Sequence, residues 1–364
     1  MNILIYNVAA EYAGAMTILK EFYNDVVLSK DKSHKWYFVV STDELKDCDN
    51  VHVIRVPWVK KSWLHRWWYD EFCAKRIVQK YDVDLVFSMQ NMPIKGAKCR
   101  QIVYLHQSLQ FSPVKYSLWH KEEREYWIRQ NIICNIMRKS LKKTNSIIVQ
   151  TRWMKEATHM WLKDFDRNIE VLAPQIKLAC CCEENIKRES GLFIYPAGGG
   201  LHKNHELIIE ACEILNKKRV SYRVLFTMNV NESAYAKKLY SEVTKKGLNV
   251  EFVGLLSSER IMRLYKKATL VFPSYLETFG LPLLEAKKSG GIVLCSDLPF
   301  AREIVGGYKN AYFFDVNSAQ QLADYMEKCS ETVIKPMECF NAKQEDASDE
   351  QKTLVEYILE MGEK

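Results

Sequence analysis

With 364 residues the chain is too long for one ordinary hydrophobic core and suits two domains. Its 48% hydrophobic residues, without a low-complexity stretch, exclude a disordered protein, and no run reaches the roughly 18 apolar residues that a membrane span needs. Net charge is +7 and unevenly placed: residues 1–150 carry 23 Lys/Arg against 15 Asp/Glu, and residues 151–364 carry 29 against 30, so the first half is the one suited to an anionic partner.

The start, MNILIYNVAA, has no basic leader before its apolar run, so no signal peptide is expected. NILIYNV (2–8) has strand length and is followed by the loop AAEYAGAM and a helix-like TILKEFYNDVV. That loop holds Gly14 but lacks Gly-x-Gly-x-x-Gly, so it does not support a dinucleotide site. Further short apolar runs follow at 35–41, 51–56, 83–89, 100–106 and 146–151, with helix-like segments between several of them. Continuous apolar strands alternating with helices predict a parallel sheet covered on both faces. Residues 171–190 read as a linker. The 11 cysteines form no Cys-x-x-Cys pair. The run Cys180–Cys181–Cys182 is poor zinc geometry, so reduced thiols of a cytosolic protein are expected.

The pattern restarts with strands expected at 191–197, 222–228, 250–254, 269–274, 291–296 and 311–315, with helices at 204–218 and 258–268. The fold class expected is α/β: two doubly wound Rossmann-like domains facing across a cleft. Their bounds are 1–170 and 191–335, with a helical tail over 336–364 able to pack back on the first domain. Ligands of open α/β sheets bind outside the carboxyl ends of strands, which directs attention to residues just after strands.

Three such places stand out. The first is VFPSYLETFGLPLLEAKKSGG (271–291), where Gly280 and Pro282 break any helix between Glu277 and Glu285. The stretch predicts a strand, a loop carrying Glu277, and a new helix with Pro282 at its first position and Glu285 in its first turn. The N–H groups of Phe279, Gly280 and Leu281 would then form an anion site at the helix N-terminus, and both carboxylates suit sugar hydroxyls. The second place is YPAGGGLHKNHELIIEA (195–211), where Lys203 follows three glycines and stands ready to meet a diphosphate as a point charge; without Gly-Lys-Ser/Thr it is no P-loop. The third is His106, at the end of QIVYLHQS.

PSYLETFGLPLLEA resembles the Glu-x7-Glu motif of retaining glycosyltransferases of the B-fold type, in the family-four group. The resemblance is specific over residues 190–320. It is looser over 1–165, where it rests on NILIYNVAAEYAG, YLHQS and SIIVQTRWMKEA, which resemble bacterial transferases of capsule and lipopolysaccharide assembly. It implies that Glu277 and the amides of Phe279–Leu281 hold the donor sugar, and that Glu285 holds the ribose. It also implies that Lys203 binds the diphosphate, that His106 lies beside donor hexose and acceptor, and that the Gly14 loop closes on phosphates or acceptor. Many members carry an arginine before the lysine; here Ala197, Gly198, Gly199 and Gly200 occupy that stretch, leaving His202 or bare amides to substitute.

The implied reaction moves a hexosyl group from a nucleoside diphosphate sugar to an acceptor hydroxyl with retention, the acceptor being a lipid-linked saccharide of cell-surface polysaccharide. No metal or other cofactor is expected, because no Asp-x-Asp is placed to hold one. Two segments of the first half, PWVKKSWLHRWWY (57–69) and WHKEEREYWIRQNIICNIMRKSLKKTN (119–145), mix tryptophans or an apolar stripe (Ile133, Met137, Leu141) with Lys and Arg. Together with the basic charge they suit a peripheral contact with a membrane, and the resemblance implies a cytoplasmic protein whose acceptor is presented at the inner face of the plasma membrane. The alternatives are a nucleotide-sugar 2-epimerase of the same architecture, for which no acid/base carboxylate set is evident, and a non-enzymatic protein binding anionic lipid or nucleic acid. No nucleic-acid motif supports the latter partner.

Overall fold

A computed structural model describes residues 1–10, 13–29, 32–174, 186–336 and 352–363. The run Cys180–Cys182 lies outside them. The chain divides into two compact units: Met1–Trp119 with Glu123–Ile176 and Glu350–Lys364, and His120–Glu122 with Lys177–Asp349.

The first unit is a sheet of seven parallel strands: β1 (Asn2–Asn7), β2 (Lys35–Val40), β3 (Val51–Arg55), β4 (Leu85–Ser88), β5 (Arg100–Tyr104), β6 (Ser146–Val149) and β7 (Asn168–Val171). Their order is β3-β2-β1-β4-β5-β6-β7. Central strands such as β1 and β4 bury side chains on both faces, which is why they read as unbroken apolar runs. β7 was not expected and lies where the linker was thought to begin. Its sequence NIEV buries Ile169 alone, as suits an edge strand, yet it pairs with β6 through Val149 and Val171, and Leu172 N–H donates to the Val149 carbonyl at 2.9 Å.

One face of this sheet is covered by the helix Ala13–Leu28 and by the terminal helix Leu354–Glu363. Val355, Tyr357 and Ile358 join Phe22, Val26, Phe38 and Phe87 in a single core. The terminal helix starts with a capping box: Thr353 Oγ1 accepts from Glu356 N–H at 3.1 Å, and a Glu356 carboxylate oxygen accepts from Thr353 N–H at 2.8 Å. The Tyr357 hydroxyl reaches into the sheet, 2.7 Å from Ser146 Oγ and 3.0 Å from Asn168 Nδ2.

The second unit is a sheet of six parallel strands: β8 (Leu192–Tyr195), β9 (Arg223–Phe226), β10 (Val250–Phe252), β11 (Thr269–Phe272), β12 (Val293–Ser296) and β13 (Ala311–Phe314). Their order, β10-β9-β8-β11-β12-β13, reverses direction between β8 and β11. There the crossovers leave toward opposite faces of the sheet, so a crevice opens at the carboxyl ends of these two strands. Among the described residues no helix is long and apolar enough to cross a membrane.

The terminal helix gives the first unit a testable dependence. Tyr357→Phe removes both bonds, while Ser146 keeps the Asn168 carbonyl and Asn168 keeps the Glu170 carboxylate, so it should destabilise that unit by about 0.5–1.5 kcal/mol. Urea unfolding followed by far-UV circular dichroism measures this, and an unchanged midpoint would contradict it.

Candidate functional site

The loops after β8 and β11 meet at the reversal point of the second sheet. After β8 the chain passes the three glycines and makes one 3₁₀ turn, Leu201–Lys203. Asn204 follows with φ +56°, the left-handed region that asparagine tolerates. Its side-chain amide donates to the carbonyls of Pro273 (3.3 Å) and Val316 (3.1 Å). Tyr275 N–H donates to the His202 carbonyl at 3.1 Å. Beneath, the fully buried Tyr195 hydroxyl donates to the Lys203 carbonyl at 2.8 Å and lies 2.7 Å from Ser274 Oγ, while Ser296 Oγ donates to the Ser274 carbonyl at 2.6 Å.

These bonds fix the two loops so that Lys203 Nζ lies 2.6 Å from Glu277 Oε1, with side chains only 22% and 13% exposed. A charge pair so poorly hydrated is held by geometry from both sides, since removal of either partner leaves the other charge in a dry site.

Gly280 follows with φ +86° and caps the helix Leu281–Lys288. A Cβ there would meet Leu283 Cδ1 at 3.1 Å in a backbone conformation that L side chains avoid. Leu281 takes the first helical position and Pro282 the second, one place later than expected. At this positive dipole end Pro282 has no N–H and Leu283 N–H donates to the Gly280 carbonyl at 2.9 Å, which leaves the amide of Leu281 as the first helical N–H without an intrahelical acceptor. Glu285 accordingly falls in the second turn rather than the first. It is half-buried and accepts from the Tyr265 hydroxyl at 2.9 Å, Tyr265 itself being buried. Burial raises the Glu285 carboxyl above the usual range, and the Tyr265 hydrogen bond lowers it less than burial raises it.

The glycine loop is not bare. Gly199 N–H donates to Glu232 Oε1 at 2.8 Å, and the other Glu232 oxygen accepts from Asn229 N–H at 3.0 Å. One of the amides thought able to stand in for the absent arginine is therefore engaged by a carboxylate. His202 is half-buried in the 3₁₀ turn that follows.

His106 and Gly14 belong to the first unit. Gly14 lies in the opening turn of the helix Ala13–Leu28, and the preceding Glu11 and Tyr12 lie outside the described residues. His106 stands two residues past β5, its N–H donating to Asn91 Oδ1 at 2.8 Å and its ring 5.8 Å from that of Tyr104. Burial lowers its imidazole to about 4, so the ring is neutral at neutral pH. The second unit thus gathers His202, Lys203, Glu277 and Phe279–Leu281 at one end of its sheet, with Glu285 one helical turn on. Sequence reasoning passed over Tyr195, Ser274, Tyr265 and Glu232. For Tyr195 and Ser274 a signal existed, since each polar group stands at or just past the carboxyl end of an apolar strand.

The Glu285 environment has a consequence for stability. Its native carboxyl holds a proton more tightly than the unfolded chain does, so its contribution to stability falls as pH rises through the interval between the two values. Glu285→Gln keeps an acceptor for Tyr265 and should raise the melting temperature of the ligand-free protein at neutral pH, an advantage that shrinks on acidification. Thermal melts of both proteins from pH 4 to 7 test this, and equal melting temperatures throughout would contradict it. His106 behaves oppositely: its contribution is intact above about 6.5 and is lost as pH falls toward about 4. An NMR titration of its ring should show no protonation near 6.5.

Comparison with known proteins places these features. Residues 183–346 match the family model of the glycosyl transferases group 1. The O-antigen chain mannosyltransferase B of Escherichia coli is 39% identical over 70 residues, 19% of this chain and 18% of that protein, so the match spans under a fifth of the relative's length. Among solved structures, a sucrose-phosphate synthase from Thermosynechococcus elongatus superposes with a TM-score of 0.69 at 15% identity, over 90% of this chain and 89% of that one. The Anabaena protein HepE, in complex with UDP-glucose, gives a TM-score of 0.62 at 14% identity, over 92% and 90% of the two chains. At such identities the likeness is one of fold, the two-sheet architecture of B-type glycosyltransferases. The matched stretch, residues 183–346, carries the Lys203–Glu277 pair, the Gly280 turn and Glu285, so the candidate site lies within the part of the chain that is similar to the glycosyl transferases group 1.

Proposed function

We propose that the protein is a retaining glycosyltransferase that moves a hexosyl group from a nucleoside diphosphate sugar to an acceptor hydroxyl. The observation that carries this reading is the Lys203–Glu277 pair at the reversal point of the second sheet, 2.6 Å apart and directly before the N-terminus of the helix Leu281–Lys288. Lysine has three N–H donors, so Lys203 can keep Glu277 and still donate to a phosphate oxygen. The amides of Phe279–Leu281 add the dipole end of a helix to the same anion. Glu277 accepts from hydroxyls of the sugar, and Glu285 from hydroxyls of the ribose.

In the reaction the bond between the anomeric carbon and the phosphate oxygen breaks, and a bond to the acceptor oxygen forms on the same face. The acceptor proton passes to the departing phosphate oxygen. Charge grows on the diphosphate as it leaves, and donors fixed in advance stabilise it by several kcal/mol. Lys203 is that donor; Glu277 orients the sugar and forms no covalent bond. The neutral ring of His106 suits a hydrogen-bond partner of sugar or acceptor rather than a charged one. The short match to an O-antigen chain mannosyltransferase supports a saccharide chain as acceptor; that this saccharide is lipid-linked is part of the proposal.

A panel of nucleoside diphosphates and their hexoses, without added metal, should contain one base that raises the melting temperature of the native protein. Glu285→Ala should abolish that rise. Turnover of the stabilising donor should give a product of unchanged anomeric configuration by NMR. An inverted product, or a rise that Glu285→Ala leaves intact, would sink the reading.

A further inference from the structure

Two helices of the first unit begin without a core to pack on. One runs Trp63–Trp68, passes a π turn at Tyr69–Cys73 and continues over Ala74–Lys80. The other runs Arg124–Ile128, passes a π turn at Arg129–Ile133 and continues over Cys134–Leu141. After each π turn the helix is anchored, by Ala74 and Val78 in one case and by Cys134, Met137 and Leu141 in the other. Before it, neither Trp63–Trp68 nor Arg124–Ile128 buries a residue. The extra residue of a π turn shifts helical register by about 100°, which takes the earlier apolar side chains off the buried stripe.

Those side chains stand in solvent. Before the turns, Trp63 is 69% exposed, Leu64 65%, Trp67 47%, Trp68 53% and Ile128 39%; Ile132 (46%), inside the second π turn, and Ile136 (52%), just after it, continue the exposed apolar edge. Trp119, just before the second helix, is 88% exposed. The rings of Trp67 and Trp68 lean on Phe72 at 5.9 and 4.5 Å, so the cluster is preformed.

Both helices cover one face of the sheet. Ala74 and Val78 pack with Val86, and Cys134, Met137 and Leu141 with Val103. The register sets Val86 opposite Gln101, which shares its face with Val103. Lys60, Lys61, Arg124, Lys139, Lys142 and Lys143 are exposed on or beside the two helices. Interfaces between proteins are depleted in lysine at their centres, whereas tryptophan flanked by Lys and Arg is the composition of helices lying in a lipid headgroup layer.

We propose that the exposed turns of these two helices form a docking face for an anionic phospholipid bilayer. This deepens the reading above by giving a lipid-linked acceptor a surface on which to be met, but the face itself stands on its own residues. The experiment is co-sedimentation of the full chain with vesicles of phosphatidylcholine alone, or mixed with an equal share of phosphatidylglycerol. Native protein should pellet with the anionic vesicles, and less so as salt is raised. The triple variant Trp63→Ser, Trp67→Ser, Trp68→Ser should bind about tenfold more weakly or worse. Lys139→Gln with Lys142→Gln and Lys143→Gln should lose the preference for anionic lipid. The altered side chains are exposed, so both variants should melt as the native protein does and keep any stabilisation by nucleoside diphosphates, which separates this test from that of the donor site. Equal pelleting with neutral vesicles, unchanged binding by the tryptophan variant, or no binding at all would overturn the proposal. So would a concentration-dependent dimer that the tryptophan variant abolishes.

Discussion

The hydrogen-bonded ion pair between Lys203 and Glu277 is the interaction around which the second unit is arranged. It joins loops that belong to different crossovers of the sheet, and its 2.6 Å separation requires both loops to be fixed before any ligand arrives. Tyr195, Ser274 and Ser296, all fully buried, provide that fixation as a run of hydroxyls below the pair. Each buried hydroxyl has a partner, so the run adds rigidity without an orphaned polar group. Asn204 adds a second tie by a backbone conformation that frees its amide to reach Pro273 and Val316. The strand order explains why so much polar structure gathers here: between the adjacent strands β8 and β11 the crossovers leave toward opposite faces, which makes room at the carboxyl ends for side chains to meet.

How far the sequence reveals this depends on the kind of interaction. Parallel strands buried on both faces leave long apolar runs, and β1, β4, β8 and β11 were legible for that reason. β7 was not, because an edge strand needs only one buried side chain, and Ile169 between polar neighbours carries no period. Gly280 and Pro282 announce a helix start, since few other residues tolerate those backbone positions. The register is less legible: the helix starts at Leu281, one residue earlier than expected, which puts Glu285 in its second turn, and the partner of Glu285, Tyr265, comes from another helix. Contacts of that kind join residues distant in the chain and leave no local signature. Gly199 with Glu232 is the same case, a bond between loops 33 residues apart.

The long segment 119–145 shows a different limit. Its four-residue repeat of Ile133, Met137 and Leu141 is real, and Met137 and Leu141 are buried, but Ile133 is only partly so. The π turn over Arg129–Ile133 divides the segment into a part that packs and a part that does not. Sequence periodicity assumes one helical register throughout. When a turn gains a residue, apolar side chains on either side of it point to different surroundings, and a single stripe in the sequence becomes two in space.

The absence of an arginine in the glycine loop bears on how the proposed donor would be held. Gly198 offers no side chain, and the next amide, Gly199 N–H, already has the Glu232 carboxylate. A carboxylate on that amide shows that the loop accepts oxyanions, but it also places negative charge near any incoming diphosphate. On the proposed reading, the positive potential at the site then comes from Lys203 and from the dipole end of the helix Leu281–Lys288. The latter acts only through close approach to backbone amides. Gly280 is what permits that approach: it turns the chain at φ +86° and lacks the Cβ that would press on Leu283. A chain that gives up an arginine clamp therefore leans harder on a glycine, because a bare helix terminus can replace a side-chain charge only if nothing stands in front of it.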